Sequence, residues 1–329
     1  MSKSATTHRE RMEALLEGRS LDRVPVALWR HFPVDDQEPE SLARAVSDFQ
    51  DRYDFDMIKI TPASSFQIKD WGASDVWKGN PEGTREYGVR VIQDPADWQK
   101  LGSLAANKGW LAGQIHCAAL ISARYSAHTP VLQTIFSPLA QAKNLAGNEQ
   151  LIVHLRQHPA GVINALEAIT ETTIEFIKAL VRTGVDGIFF AVQHAQHALL
   201  TVEEFHKFGK TYDLKVLAAA RAFWCNLVHI HGENILFDQV SDYPVQIHNW
   251  HDQSTEPSLQ LGLTRVNGAV CGGLRQWQTL VLGTPQDVYR EARSAIDQTG
   301  GKRFLLGTGC VTPITAPAGN ILAARHAVE

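Results

Sequence analysis

Cysteine is scarce in this chain. Four cysteines are spread over 329 residues, none in a Cys-x-x-Cys pair. That excludes a disulfide framework, and Cys117, Cys225, Cys271 and Cys310 read as reduced thiols of a cytoplasmic protein. No apolar run approaches the ~20 residues a membrane span needs. Met1 to Glu13 is polar and lacks the apolar core of a secretory signal. Neither sign of charge dominates: 31 Lys+Arg stand against 35 Asp+Glu, a formal net charge of −4. With no basic stripe, the sequence argues against nucleic acid as a partner, and the lack of a spanning run argues against a membrane. There is no internal repeat and no low-complexity linker. A dinucleotide-type glycine-rich turn is also missing, because the first strand candidate runs into Arg30-His31-Phe32-Pro33.

What is present is a 44% apolar chain, enough for a sizeable core, with a regular strand–helix rhythm. Strand candidates are Val24–Trp29, Met57–Ile60, Pro130–Phe136, Gly187–Gln193, Asn226–Gly232, Val245–Trp250, Ala269–Gly273 and Phe304–Thr308. Between them lie helical patterns. Thr201-Val202-Glu203-Glu204 is a capping box, and Thr284-Pro285 is an N-cap followed by proline at N1. In the pattern ending at Gly184, the helical spacing of Leu166, Ile169 and Ile177 predicts a buried face. Eight strands in parallel β-α order predict an α/β fold, a single (β/α)8 TIM barrel spanning residues 1–329.

Asn226-Leu227-Val228-His229-Ile230-His231-Gly232 is the stretch around which the rest is organised. Side chains alternate along a strand, so His229 and His231 share a face. Two imidazoles aimed at one point suit a metal ion, although two histidines satisfied separately by backbone carbonyls would read the same way. In a barrel the chemistry sits at the C-terminal ends of the strands. Those ends supply Trp29, Arg30 and His31, Gln193 and His194, His229 and His231, His248 and Trp250, and Thr308 and Cys310. Two imidazoles and one thiolate with an open fourth position are the format of a catalytic zinc site. His229, His231 and Cys310 are therefore the candidate ligands, with Glu233 or His248 to fill or guard the fourth position. Arg30, Glu233 and His248 are the candidate catalytic groups. Trp29, His31, Gln193, His194, Trp250 and Thr308 are the candidate substrate contacts.

The stretches RVPVALWRH (23–31), FDMIKITPASSFQIKDWG (55–72), VDGIFFAVQ (185–193), NLVHIHG (226–232) and LLGTGCVTPITAPAGNI (305–321) resemble the uroporphyrinogen decarboxylase superfamily. That resemblance implies a (β/α)8 barrel and two kinds of enzyme: cofactor-free decarboxylases of uroporphyrinogen, and zinc-dependent enzymes that move a methyl group between a corrinoid protein and a thiol such as coenzyme M. The decarboxylase residues are missing. The second arginine is replaced by the Val34-Asp35 stretch, and the catalytic aspartate falls near Ala63. The tyrosine falls near Lys143, and the C-terminal histidine falls on Thr308. The methyltransferase pattern, His-x-Cys plus a later Gly-Cys, matches at His229 and Cys310, with His231 in place of the first cysteine. An imidazole for a thiolate makes the ligand set less negative, so a bound thiolate would be a weaker nucleophile and a bound water more acidic.

The resemblance therefore implies a zinc-dependent methyl- or group-transferase acting on a small molecule. It implies a corrinoid supplied by a partner protein, and a homodimer is left open. The alternatives are a decarboxylase of another carboxylate, with Arg30 gripping the acid, and a non-catalytic tetrapyrrole- or corrinoid-binding barrel walled by Trp29, Phe32, Trp71 and Trp250.

Overall fold

The computed structural model describes residues 6–329. Its centre is a curled, all-parallel sheet of seven strands in the order β1 (Ile58–Ile60), β4 (Val131–Phe136), β5 (Gly187–Val192), β6 (Leu227–Ile230), β7 (Ile247–Trp250), β8 (Ala269–Leu274) and β9 (Phe304–Thr308). Every residue of these strands is buried, as expected of a parallel sheet covered on both faces. A separate antiparallel pair, β2 (Ser74–Val76) and β3 (Glu86–Val89), lies within the long segment after β1. This pair carries no apolar run, so hydrophobic pattern did not mark it.

The predicted first strand, Val24–Trp29, is the exception. It forms only a single bridge, Val26 to Leu306, and the sheet has seven strands rather than the eight of a complete barrel. The backbone still lies alongside β9: Ala27 N–H donates to Leu306 O, and Leu306 N–H donates to Pro25 O, both at 2.9 Å. On the other side, Asp56 N–H donates to Val26 O at 2.9 Å. A regular ladder is prevented by two residues. Pro25 has no N–H, and the Val26 N–H is taken by the Asp56 carboxylate at 2.8 Å.

That carboxylate knots the N-terminal end of the sheet. Fully buried, Asp56 accepts from His8 Nδ1 (2.8 Å), Arg11 Nη1 (2.6 Å) and both terminal nitrogens of Arg23 (2.6 and 3.0 Å). His8 and Arg11 come from the first helix, His8–Leu16, whose N-cap is Thr7 in a full capping box. Burial alone would raise the Asp56 carboxyl. The hydrogen bonds from His8 and Arg23, with the Arg23 charge, outweigh it and hold the group well below the usual carboxylate range.

The outer layer is helical. The segments Pro39–Tyr53, Gly109–Tyr125, Pro159–Leu180 and Pro285–Thr299 follow their sequence signals closely. Leu166, Ile169 and Ile177 are completely buried, so the predicted face of the longest helix is the one that packs. No helix among the described residues is long and apolar enough to cross a membrane.

Removing the Asp56 carboxylate strands Arg11 and Arg23 beside a buried vacancy. Asp56→Ala should lower the unfolding free energy by about 3–5 kcal/mol in urea denaturation at pH 7. Because the folded carboxyl is held below its unfolded value, the difference from wild type should shrink as pH falls below about 4. An unchanged urea midpoint at pH 7 would show that the knot is not needed.

Candidate metal centre

Four side chains converge at the C-terminal end of the sheet. His229, His231, His251 and Cys310 each offer one ligand atom, and these atoms lie within 4.8 Å of one another. His229 sits within β6 and His231 just beyond it. His251 follows β7 directly, and Cys310 follows β9 after Gly309. The Sγ of Cys310 is 3.7 Å from His231 Nδ1, and His251 Nε2 is 3.4 Å from the same nitrogen. The three imidazole rings pack at centroid distances of 5.1 to 5.7 Å.

Backbone geometry makes the convergence. His229 is in register with Asn249, so the next inward positions on the two chains are His231 and His251. Gly309 brings in the thiol. A Cβ there would come within 2.7 Å of His251 Cα and 3.1 Å of Trp250 O, so only glycine lets the turn before Cys310 lie against the end of β7.

Asn249 orients His229. Its Nδ2 donates to Cys271 O and Thr308 O, both at 2.9 Å, which uses both amide protons. Its Oδ1 must then accept, and it lies 2.7 Å from His229 Nδ1. The proton is thereby held on Nδ1, and Nε2 is left buried with a free lone pair and no hydrogen-bond partner among the described residues. The sequence pointed to Glu233, Asp252 or a strand carbonyl for this task. Glu233 is exposed, Asp252 accepts from Gly273 N–H, and a side-chain amide has the role.

Electrostatics set the protonation states. Burial, then the His231 and His251 charges, push His229 well below its ordinary value. Burial with the His251 and Lys143 charges brings His231 to about 3. Burial also lowers His251, with Glu233 opposing. All three imidazoles are neutral at pH 7, the form that binds metals. The Cys310 thiol is pushed up to about 11, by burial above all, despite the Val311 N–H and the Lys59 charge. It becomes a thiolate only when a cation stabilises it.

The other predicted site residues divide by strand parity. Trp29 faces inward and meets Phe189 edge-on at 5.2 Å. Arg30 therefore faces outward, its guanidinium lying over Phe32 (5.2 Å) and over Phe49 (5.6 Å) of the helix Pro39–Tyr53. It is removed from the mouth where it was expected to grip a substrate. His248 and Trp250 are likewise on the outer face. The His248 ring is influenced by the Val240 backbone and Asp242, and Trp250 packs on Phe237 and donates to Pro257 O. Thr308 donates its hydroxyl to Cys310 O and so shapes the turn that carries the thiol. His194 and His31 are both buried and brought to about 3 by burial, then by Lys143 and His231 for His194 and by Lys59 for His31. Gln193 Oε1 is buried without a hydrogen-bond partner among the described residues.

Two groups in the mouth were not anticipated from sequence, His251 and Lys59. Lys59 lies in β1 and is 7% exposed, with its Nζ 4.3 Å from the Phe189 ring centroid. Its only hydrogen bond among the described residues is a long one to Thr61 Oγ1, 3.4 Å. Burial brings this ammonium down to about 7. Since the folded value lies below the unfolded 10.5, the charge opposes folding fully below pH 7, and that opposition fades as pH rises toward 10.5. Lys59→Met should therefore stabilise the protein by about 1–4 kcal/mol at pH 6 to 7, and by progressively less toward pH 10. Urea midpoints across that range measure it, and a destabilised variant at pH 7 would contradict it.

Known proteins resemble this chain in sequence and in fold. The chain is 22% identical over 237 residues to the methylcobamide:CoM methyltransferase MtbA of Methanosarcina acetivorans, a match covering 70% of this chain and 67% of that protein. Its fold is similar to that of a methyltransferase from Methanosarcina mazei, with a TM-score of 0.84, 18% identity and 98% of each chain covered. A B12-independent methionine synthase from a Shewanella species is a more distant likeness, with a TM-score of 0.60, 14% identity, and 93% and 96% of the two chains covered. Residues 7–329 match the description of the uroporphyrinogen decarboxylase (URO-D) family, and with nearly the whole chain matched, the protein belongs to that family.

Proposed function

We propose that this protein is a zinc-dependent methyltransferase that passes a methyl group to a small-molecule acceptor at the C-terminal mouth of its sheet, with the methyl donor a corrinoid carried on a separate protein. The observation that carries the reading is the gathering of His229, His231, His251 and Cys310 to within 4.8 Å. The donor set fits zinc. It combines imidazole nitrogens with one thiolate, and contraction of the widest pair by about an ångström reaches the spacing that bonds of about 2.0–2.3 Å require. The buried, partnerless Nε2 of His229 supports the fit, since an orphaned lone pair in the interior is costly without a ligand. When bound, zinc supplies Lewis acidity that favours the deprotonated form of an acceptor thiol or water. Both relatives' names support methyl transfer, and the methylcobamide in the name of MtbA supports a corrinoid as the methyl donor. The unpaired thiols at Cys117, Cys225, Cys271 and Cys310 suit a reducing, cytoplasmic compartment.

Within this reading the protein's own groups divide the work. Asn249 fixes the tautomer and tilt of His229. Gly309 and Thr308 seat Cys310. Four protein ligands leave no position for an acceptor, whereas catalytic zinc sites keep one open. His229, His231 and Cys310 would hold the metal, and His251 would be the one to yield its position to an acceptor. It sits in the turn after β7, and its ring has no side-chain hydrogen bond among the described residues except to His231. Buried His194 and Trp29, with Phe189 beneath them, wall the space. Decarboxylation loses its main support with Arg30 turned outward, and uroporphyrinogen should give no coproporphyrinogen.

Metal analysis of tag-free protein tests the reading and should find one equivalent of zinc. Cys310→Ala should lower zinc affinity by orders of magnitude, and Asn249→Leu by about 10- to 100-fold. Gly309→Ala should weaken it as well, by displacing the thiol. The imidazoles are already neutral and the thiol is protonated at pH 7, so each zinc bound should release one proton. Zinc affinity should then rise by about tenfold per pH unit between pH 6 and 8. Protein that binds no zinc, or binds it without proton release, would refute the assignment.

A further inference from the structure

A cavity of about 390 Å³, a size that small ligands fill, opens beside the first turns of the helix Gly109–Tyr125. It lies on the helix side of the sheet, away from the metal centre. Lys59 points into the mouth, so Ile60 points the other way, and so does Gln133, its register partner on β4. Gln114, which lines the cavity, donates to Gln133 Oε1 at 2.9 Å. Leu42 and Phe66, both almost fully buried, give the cavity an apolar wall with Trp110. Every charged residue in the lining is acidic: Asp36, Glu38 and Asp70. Asp70 accepts from the N–H groups of Trp110 (3.0 Å) and Leu111 (3.3 Å), so the positive end of the helix is already covered and offers nothing to an anion.

Asp36 points to a ligand. It is 6% exposed, and its two oxygens differ. Oδ1 accepts from Gln37 Nε2 at 2.7 Å and lies 3.4 Å from Arg85 Nη1. Oδ2 is buried and accepts no hydrogen bond among the described residues. The neighbouring cations are engaged elsewhere. Arg85 Nε donates to Asp75 at 2.9 Å, and Lys69 lies 3.3 Å from Asp75 while donating to Gln37 Oε1 at 2.8 Å. Burial raises the Asp36 carboxyl, with the Gln37 hydrogen bond and the Arg85 charge opposing. A second acceptor sits in the same lining. Gln133 Nε2 donates to Thr134 O at 2.9 Å, which leaves its oxygen for Gln114 Nε2. The Gln114 oxygen is then free to accept.

We propose that this cavity binds a small organic amine, its primary ammonium on Asp36 and Gln114 and its apolar body against Leu42, Phe66 and Trp110. The inference does not rest on the methyltransferase reading. An ammonium carries three donors and no acceptor, which matches a lining whose free groups are acceptors. An anion would meet three carboxylates. A bare metal ion does not fit either, because these carboxylates are not among the groups close enough to share one.

The test uses full-length protein and three probes of one shape: phenethylamine, phenethyl alcohol and hydrocinnamate. Binding is followed by NMR titration. The amine should bind about tenfold or more tighter than the alcohol, as a charge-assisted hydrogen bond implies, and the acid weakest. In Asp36→Asn the ratio of amine to alcohol should drop below about three, since exposed Glu38 adds only a screened attraction. Gly113 lines the cavity, and a Cβ there meets only the Pro39 ring, at 3.2 Å. Gly113→Leu should therefore fill the space and abolish binding of amine and alcohol alike, while a leucine within the helix favours the fold. Cooperative thermal unfolding of both variants shows that they are folded. Gly113→Leu also separates this cavity from any amine held at the metal centre, which it leaves untouched. Equal affinities for amine and alcohol in wild type, a preference that survives Asp36→Asn, or amine binding that survives Gly113→Leu would each overturn the assignment.

Discussion

The side-chain amide of Asn249 is the interaction on which the site depends. Both of its protons are committed to main-chain carbonyls of β8 and β9, and its oxygen takes the Nδ1 proton of His229 on β6. One residue on β7 thus ties four neighbouring strands at the level of the metal centre. The same bonds decide which nitrogen of His229 is free. A carboxylate in its place would fix the tautomer equally well. It would, however, have no protons for Cys271 O and Thr308 O, and it would bring a negative charge into a fully buried position. An apolar residue would leave two carbonyls and a ring N–H unpaired. The amide alone satisfies all three neighbours without adding charge.

Strand parity then settles which side chains reach the mouth. On β6 the sequence made this plain, because two histidines two residues apart share a face whatever their register. On β7 the same rule places Ile247, Asn249 and His251 inside, and His248 and Trp250 outside. His248 and Trp250 drew attention because they lie within the apolar run, whereas His251 stands just beyond it and reads as loop. The pairing of His229 with Asn249 is long-range information, and single-strand patterns do not contain it. Arg30 misled for the same reason: with Trp29 inward, its neighbour had to point to the helices. The segment 24–29 is apolar enough for a strand, but Pro25 and the Asp56 carboxylate remove the two N–H groups that a ladder would use. Lys59 was visible in principle. A lysine between two isoleucines in a buried strand has no packing explanation, since lysine is almost never fully buried unless paired.

Charge balance connects these features to chemistry. Where the methyltransferase pattern that the sequence resembles has its first cysteine, this chain has His231, and His251 adds a third imidazole. A dication bound by three neutral rings and one thiolate would keep a net positive charge. Such a centre would lower the electron density on any sulfur it came to hold and so weaken that sulfur as a nucleophile. A weak nucleophile needs a reactive methyl donor, and a methyl group on a corrinoid meets that need better than an unactivated ether or amine. Under the proposed methyl transfer, histidine in place of cysteine would therefore shift the burden of activation from the acceptor to the donor.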